Sequence, residues 1–346
     1  QEVSKDKMEF VEEYKEPFKQ SLSYFLSRNN RSKPIANIAR VKLYKGCDID
    51  FVFMPHKKYH STTMLPIAQK LRLKGYSVIF IDMSTAYADE GAMEPLSQSN
   101  EFVLKYEEFQ GFHFNYGVVI VMNDWDTKCT MPTVIQANNL GVKTVGIVEG
   151  IQDFWDKDTG RFRHPYQNVK HLMMTGVHDR KYFSDTHHVS KKVIGFPRLI
   201  PLLQNQRVEP KQKNILINCN FTYGVLDKAK DKWLKEAVQA INNLKLSYSI
   251  TQHPQDTYEY KGYKKTDLNM YDALSESSLL ISRFSSAIIE AISMGVPAVY
   301  YNPNIEAVDK FTEPMGAFSI AKDTKSLIEA IKYELQNSSN VRQRSK

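Results

Sequence analysis

The stretch DIDFVFMPHKKYHSTTMLPIAQKLRLKGYSVIFIDM, residues 48–83, holds the fold in miniature. Asp48 to Pro55 is an apolar run of strand length. His60 to Leu73 has helix character, Gly75 ends it, and Ser77 to Ile81 is a second strand. A strand, a helix and a strand form a βαβ unit, whose two strands lie parallel through a right-handed crossover.

The pattern repeats outward. YGVVIVMND (116–124) reads as a strand, Pro132 to Leu140 as a helix, and VKTVGIVEG (142–150) and HLMMTG (171–176) as strands. VSKKVIGFPRL (189–199) is a short strand that ends in a turn. A polar stretch with Pro210, QNQRVEPKQK (204–213), makes a linker, and then the alternation restarts. KNILINCN is a strand, Asp227 to Leu244 a helix, LSYSITQHP a strand, Leu268 to Ser277 a helix and SLLISRF a strand. Ser286 to Met294 is a helix and VPAVYYN the next strand.

These runs predict an α/β protein of two Rossmann-like domains, 1–205 and 206–346. A chain of 346 residues agrees with two domains of about 150 residues each. The first domain carries a helical preface at Ser4 to Arg28, broken at Pro17, which either docks on a domain or touches a membrane surface. The second closes with an amphipathic helix, Thr324 to Leu335, expected to return to the first domain and to be followed by a disordered tail.

Composition narrows the function classes. With 42% hydrophobic and 25% charged residues the chain is neither disordered nor membrane-embedded in character. No apolar run approaches the ~20 residues of a membrane span, and the start QEVSKDKMEF lacks a secretory core, so the expectation is cytoplasmic, with the inner face of the membrane open to it. Cys47, Cys129 and Cys219 are scattered, which implies neither a disulfide framework nor a cysteine zinc site. The net charge of +7 suits an anionic partner, but no nucleic-acid motif occurs, so nucleic acid is not expected. GxxxxGK[ST], GxGxxG, HExxH and GxSxG are all missing, which disfavours P-loop, dinucleotide, zinc-protease and serine-hydrolase chemistry. His187-His188 reads as a surface pair.

Ligands of open α/β sheets bind at the carboxyl ends of the strands. In ISRFSSAIIEAISMGVPAVYYN (281–302) a strand ends at Arg283, Ser285 and Ser286 open a helix, and Glu290 follows one turn later. Hydroxyls and unpaired amides there suit a phosphate, or a serine simply caps the helix. Asn220 ends another strand of that domain. His253-Pro254 ends the strand SITQHP, where an imidazole can bind or protonate a phosphate oxygen, or lie solvated on the surface. In the first domain Glu149, before Gly150, can accept a proton or be an exposed loop acid. Asp124 and Asp126 are neighbouring acids that either serve the acceptor or cap a helix, and His56 and His60 orient an acceptor, or His56 is simply solvated.

From about Asp48 to Leu335 these motifs resemble the GT-B glycosyltransferases of bacterial surface polysaccharides. The acidic-Gly, His-Pro and Ser-Ser triplet is similar to that of the CMP-sugar enzymes, namely sialyl-, polysialyl- and capsular Kdo transferases. The resemblance implies two domains facing each other across a cleft, Glu149 as acid/base, and His253, Ser285 and Ser286 on the CMP phosphate. It implies no cofactor and no metal, with Arg283 helping to neutralise the phosphate. The partners would be a nucleotide-sugar donor and a glycan or glycolipid acceptor of capsule or lipopolysaccharide. Val148 stands where those enzymes carry a first acid. The His-Pro and Ser-Ser portions also resemble CDP-glycerol and CDP-ribitol phosphotransferases. A non-catalytic GT-B-like binding module is the further alternative.

Overall fold

The computed structural model describes residues 42–44, 46–84, 91–109, 116–124, 127–149, 165–204, 210, 212–221, 226–253, 256–306, 308, 311 and 313–344. The expected helical preface, Asp126, Gly150 and Pro254 lie outside the described residues. The chain divides into two compact units, Gln1–Arg198 and Leu199–Lys346.

The first unit is built on β1 (Lys42–Tyr44), β2 (Gly46–Met54), β3 (Val78–Asp82), β4 (Val103–Lys105), β5 (Tyr116–Val121), β6 (Lys143–Ile147), β7 (His171–Met174) and β8 (Ser190–Val193). Their order is β4-β3-β2-β5-β6-β7-β8, with β1 antiparallel on β2 and the other pairings parallel. Alternate residues of each strand feed opposite cores. Val52 and Met54 join one cluster with Ile79 and Ile81, whereas Phe53 joins the other with Val78 and Phe80. A sheet apolar on both faces must be covered on both, which is why its strands read as continuous apolar runs.

Helix α1 (Lys58–Leu73) connects β2 to β3, and α2 (Thr130–Asn139) connects β5 to β6. From the neighbouring strands β2 and β5 the chain leaves in opposite directions across the sheet. The carboxyl ends of these two strands therefore flank the crevice where such sheets bind ligands. Helix α1 starts two residues before the expected His60, so His60 sits in its first turn.

The second unit has five parallel strands in the order β10-β9-β11-β12-β13: β9 (Asn214–Asn218), β10 (Ser247–Thr251), β11 (Leu279–Ser282), β12 (Ala298–Tyr301) and β13 (Ser319–Ala321). The chain reverses direction between β9 and β11, so the corresponding crevice lies at Asn218–Phe221 and Arg283–Ser286. Helices α3 (Lys230–Asn243) and α5 (Thr324–Gln336) cover one face, and α4 (Ser286–Met294) packs on β11 and β12.

Two expectations change here. Helix α5 packs within the second unit: Leu327 and Ile331 are buried in one cluster with Trp233, Leu234 and Ile241. Of the residues after it, 337–344 are described and are held by specific contacts. Val341 is fully buried, Arg344 pairs with the buried Glu334 at 2.8 Å, and Arg342 donates to the Met294 carbonyl. Strand β13, too short and mixed to read as a strand, completes the sheet edge. Among the described residues no helix is long and apolar enough to cross a membrane.

Candidate active site

In the first unit the sequence-selected residues converge at the carboxyl ends of β2, β5 and β6. Imidazole Nδ1 of His60 accepts the backbone N–H of His56 at 3.1 Å. A neutral ring with an accepting Nδ1 carries its proton on Nε2. That Nε2 meets the carboxylate of Glu149. Both partners are buried, His60 completely and Glu149 to 8% exposure.

Burial alone pushes the Glu149 carboxyl up. The hydrogen bond from His60, the Tyr59 hydroxyl and the Lys57 ammonium outweigh that and hold it below the ordinary glutamate value. Helix α1 adds to the same field, because it begins with no acid in its first turn to neutralise the positive end of its dipole. Glu149 is thus a carboxylate at neutral pH. The Tyr59 phenol is pushed well above its usual range by burial and by this carboxylate, so it remains a hydrogen-bond donor.

A second layer fixes the height at which Glu149 leaves its strand. The Tyr166 hydroxyl accepts the Glu149 N–H at 2.7 Å and lies 3.1 Å and 3.2 Å from the Met122 and Ile147 carbonyls, tying the ends of β5 and β6 together. Tyr166 is fully buried and adopts a left-handed backbone, φ +59°. Its own carbonyl accepts from Nε2 of His188, whose Nδ1 faces the Thr186 hydroxyl. Gly146 makes room for it, since a Cβ there would stand 2.9 Å from the Tyr166 ring and from Val169.

Several expected roles are corrected by these contacts. His60, expected to orient an acceptor, is fully buried with both ring nitrogens engaged by His56 and Glu149. Asp124 is fully buried and accepts the Asn168 and Val169 N–H groups at 2.6 and 3.1 Å, bracing the chain before β7 in place of serving an acceptor or capping α2. His188 is buried, not a surface residue. His56 is half-buried, its ring edge-on to that of His60.

The second unit holds the other candidates. Ser285 caps α4 by accepting the Ala287 N–H at 3.2 Å, the plainer of its two readings. Ser286 is the first helical residue, half-buried, and its hydroxyl has no hydrogen-bond partner among the described residues. Glu290, buried, follows four residues later on the same face. His253 is half-buried; burial pulls its imidazole below the ordinary histidine value and nearby Asp256 offsets this in part. It is therefore neutral at pH 7, able to donate or accept a hydrogen bond but not to serve as a ready acid.

Arg283 departs most from expectation. It is 1% exposed, its Nε donates to Glu306 at 2.8 Å and a second nitrogen pairs with the other Glu306 oxygen. A third donates to the Asn220 carbonyl at 3.1 Å, and the guanidinium lies 4.4 Å from the Phe221 ring centre and 4.8 Å from that of Phe284. The fork is a buried tie between loops, not a phosphate ligand. Asn220, with φ +43° and its amide on the Phe284 carbonyl, belongs to the same tie.

No family model and no curated protein sequence matches the chain. Solved structures do. UDP-GlcNAc 2-epimerase from Neisseria meningitidis, bound to UDP-GlcNAc, is 13% identical with a TM-score of 0.59, over 86% of this chain and 94% of that one. The Methanocaldococcus jannaschii UDP-GlcNAc 2-epimerase with UDP-GlcNAc and UDP gives 13% and 0.57, over 86% and 97%. The chain has the GT-B fold. A GT-B glycosyltransferase is among the similar structures too: the spinosyn rhamnosyltransferase SpnG with thymidine diphosphate, 11% identical at a TM-score of 0.53, over 86% and 96%. Tyr59, Tyr166, Gly146 and His188 had no sequence signal as site residues; only the adjacency of Tyr59 to His60 in one helical turn could have raised the first.

Proposed function

We propose that this GT-B chain is a nucleotide-sugar enzyme, and specifically a glycosyltransferase in which Glu149 is the base. The observation that carries the reading is the carboxylate of Glu149, ionised, buried, and held by His60 and Tyr59 beside the crevice of the first sheet. In the reaction an acceptor hydroxyl oxygen bonds to the anomeric carbon. The bond from that carbon to the phosphate oxygen breaks, the proton passes to Glu149, and the nucleotide leaves with the electron pair. His60 and Tyr59 fix the carboxylate and do not take the proton.

For the leaving phosphate we assign the Ser286 hydroxyl and the first-turn amides of α4, a helix start that favours negative charge. His253, being neutral, donates a hydrogen bond to the departing phosphate and is not its acid. The donor proposed first is the CMP-linked acidic sugar, Kdo or sialic acid, of the motif resemblance, with a glycan or glycolipid acceptor at the inner membrane face. The Ser-Ser and His-Pro motifs support it.

A second reading, epimerisation of a UDP-linked sugar, is favoured by the epimerases among the similar structures. One experiment separates the two: the chain is warmed with CMP, UDP or UMP, then incubated with CMP- and UDP-sugars in D2O. Transfer predicts that CMP raises Tm most and that donor turnover needs an acceptor. A shift with UDP alone, together with deuterium entering the sugar of UDP-GlcNAc without an acceptor, would establish epimerisation instead.

A further inference from the structure

Lys230 opens helix α3, where a cation faces the positive end of the helix dipole, and it is nevertheless buried. Its ammonium meets both carboxylate oxygens of Asp256, at 2.7 and 2.8 Å, and lies 4.4 and 5.1 Å from the ring centres of Tyr258 and Tyr260. Both members of the pair are out of water, at 5% and 6% side-chain exposure. Replacing such a pair by apolar residues is often neutral or stabilising, so stability alone does not account for it.

The carboxylate is gripped from several sides. The Tyr260 hydroxyl donates to it at 2.6 Å and the Tyr258 N–H at 3.0 Å. Burial raises the Asp256 carboxyl, but the bonds from Lys230, Tyr260 and the Tyr258 N–H, together with the Lys230 charge, outweigh it and hold it below the ordinary aspartate value. Asp256 is therefore ionised, and the pair intact, at neutral pH.

What the pair holds is the chain at His253. The Asp256 N–H donates to the His253 carbonyl at 2.8 Å. On the other flank the Gln252 amide donates to the Asp256 and Tyr258 carbonyls at 2.7 and 3.0 Å. Residues 256–260 are neither helix nor strand, so these side-chain bonds take the place of a backbone ladder. The backbone on both flanks of His253 is thus fastened to the segment that grips Lys230, and α3 supplies the fastening from outside that segment.

We propose that Lys230 is a positioning residue for His253: acting through Asp256, it holds the loop that presents the imidazole to the departing phosphate. This rests on the phosphate role proposed for His253. Lys230 itself, enclosed by Asp256 and two tyrosine rings, does not touch the nucleotide.

The test uses the full chain and the double variant Lys230→Met with Asp256→Asn, which removes the ion pair without leaving a buried charge. CMP and cytidine, and UMP and uridine, are titrated calorimetrically. The double variant is expected to bind the better of the two nucleotides about five- to tenfold more weakly than the native chain, the usual worth of one hydrogen bond. The matching nucleoside, which lacks the phosphate, should bind both chains equally. In a His253→Ala background the double substitution should cause no further loss, a coupling that a purely structural pair would not show. In the ligand-free chain the ring C–H NMR signals of His253 should shift and broaden in the double variant. Should that variant fail to fold, Tyr260→Phe, which removes one bond to the same carboxylate, supplies the same readouts. Equal nucleotide binding by native and variant chains, or the same loss with and without His253, overturns the proposal. If the native chain binds neither nucleotide, the phosphate role of His253 fails on its own, and the NMR signals still decide the positioning: unchanged His253 signals in the folded variant overturn it.

Discussion

The Tyr166 hydroxyl receives the backbone N–H of Glu149 at 2.7 Å, so a phenol 17 positions downstream sets where the carboxylate leaves β6. The tyrosine is held in turn by His188 and by the space above Gly146. Glu149 is thereby placed by a rigid assembly of buried groups and not by a mobile loop.

Tyr166→Phe removes one acceptor and one donor from three buried backbone groups. The expected loss is about 1–3 kcal/mol of stability. Urea unfolding measures it, and donor turnover should fall in the folded variant because the carboxylate is no longer fixed.

Gly146→Ala would bring a methyl 2.9 Å from Tyr166 and Val169, both fully buried and unable to retreat. Overpacking of this kind costs about 1–3 kcal/mol. A lowered midpoint in thermal unfolding, with Tyr166 fluorescence altered, is the expected outcome.

Arg283→Met leaves the Glu306 carboxylate buried without its guanidinium. Breaking such a pair costs about 3–5 kcal/mol. The loss should appear in denaturation without any nucleotide present, which a residue serving only a phosphate would not show. Pairing it with Glu306→Leu should restore part of the stability.

Burial holds His253 below the ordinary histidine value, with Asp256 offsetting it in part, and burial likewise lowers His188. A group with a depressed folded value contributes stability that is present above its unfolded value, about 6.5, and is lost as pH falls below it. Denaturation midpoints should therefore drop as pH is taken from 7.5 to 5.5. The slope should be shallower in His253→Gln.

Much of the fold was legible because strands buried on both faces of a sheet are unbroken apolar runs, and 51–55, 116–122 and 279–281 are such runs. β13 escaped notice, as Ser319–Ala321 is three residues long and only partly apolar. His60 and Glu149 were each selected by their places at strand ends, but not as partners, since their meeting depends on β2, β5 and β6 lying side by side. Arg283 was misread because the acid that occupies it is 23 positions away in a loop. Of the His187-His188 pair only His188 was misread, because two adjacent polar residues do not reveal that Tyr166 will place its carbonyl against one of them, while His187 is exposed as expected.

The central claim, that Glu149 takes the proton in a sugar transfer, is tested by nucleotide release from CMP- and UDP-linked sugars in the presence of acceptor, comparing native and Glu149→Gln chains. The account predicts release by the native chain and a rate about 10²–10⁴-fold lower in the variant, with an unchanged circular dichroism spectrum. Equal rates in the two chains would contradict it.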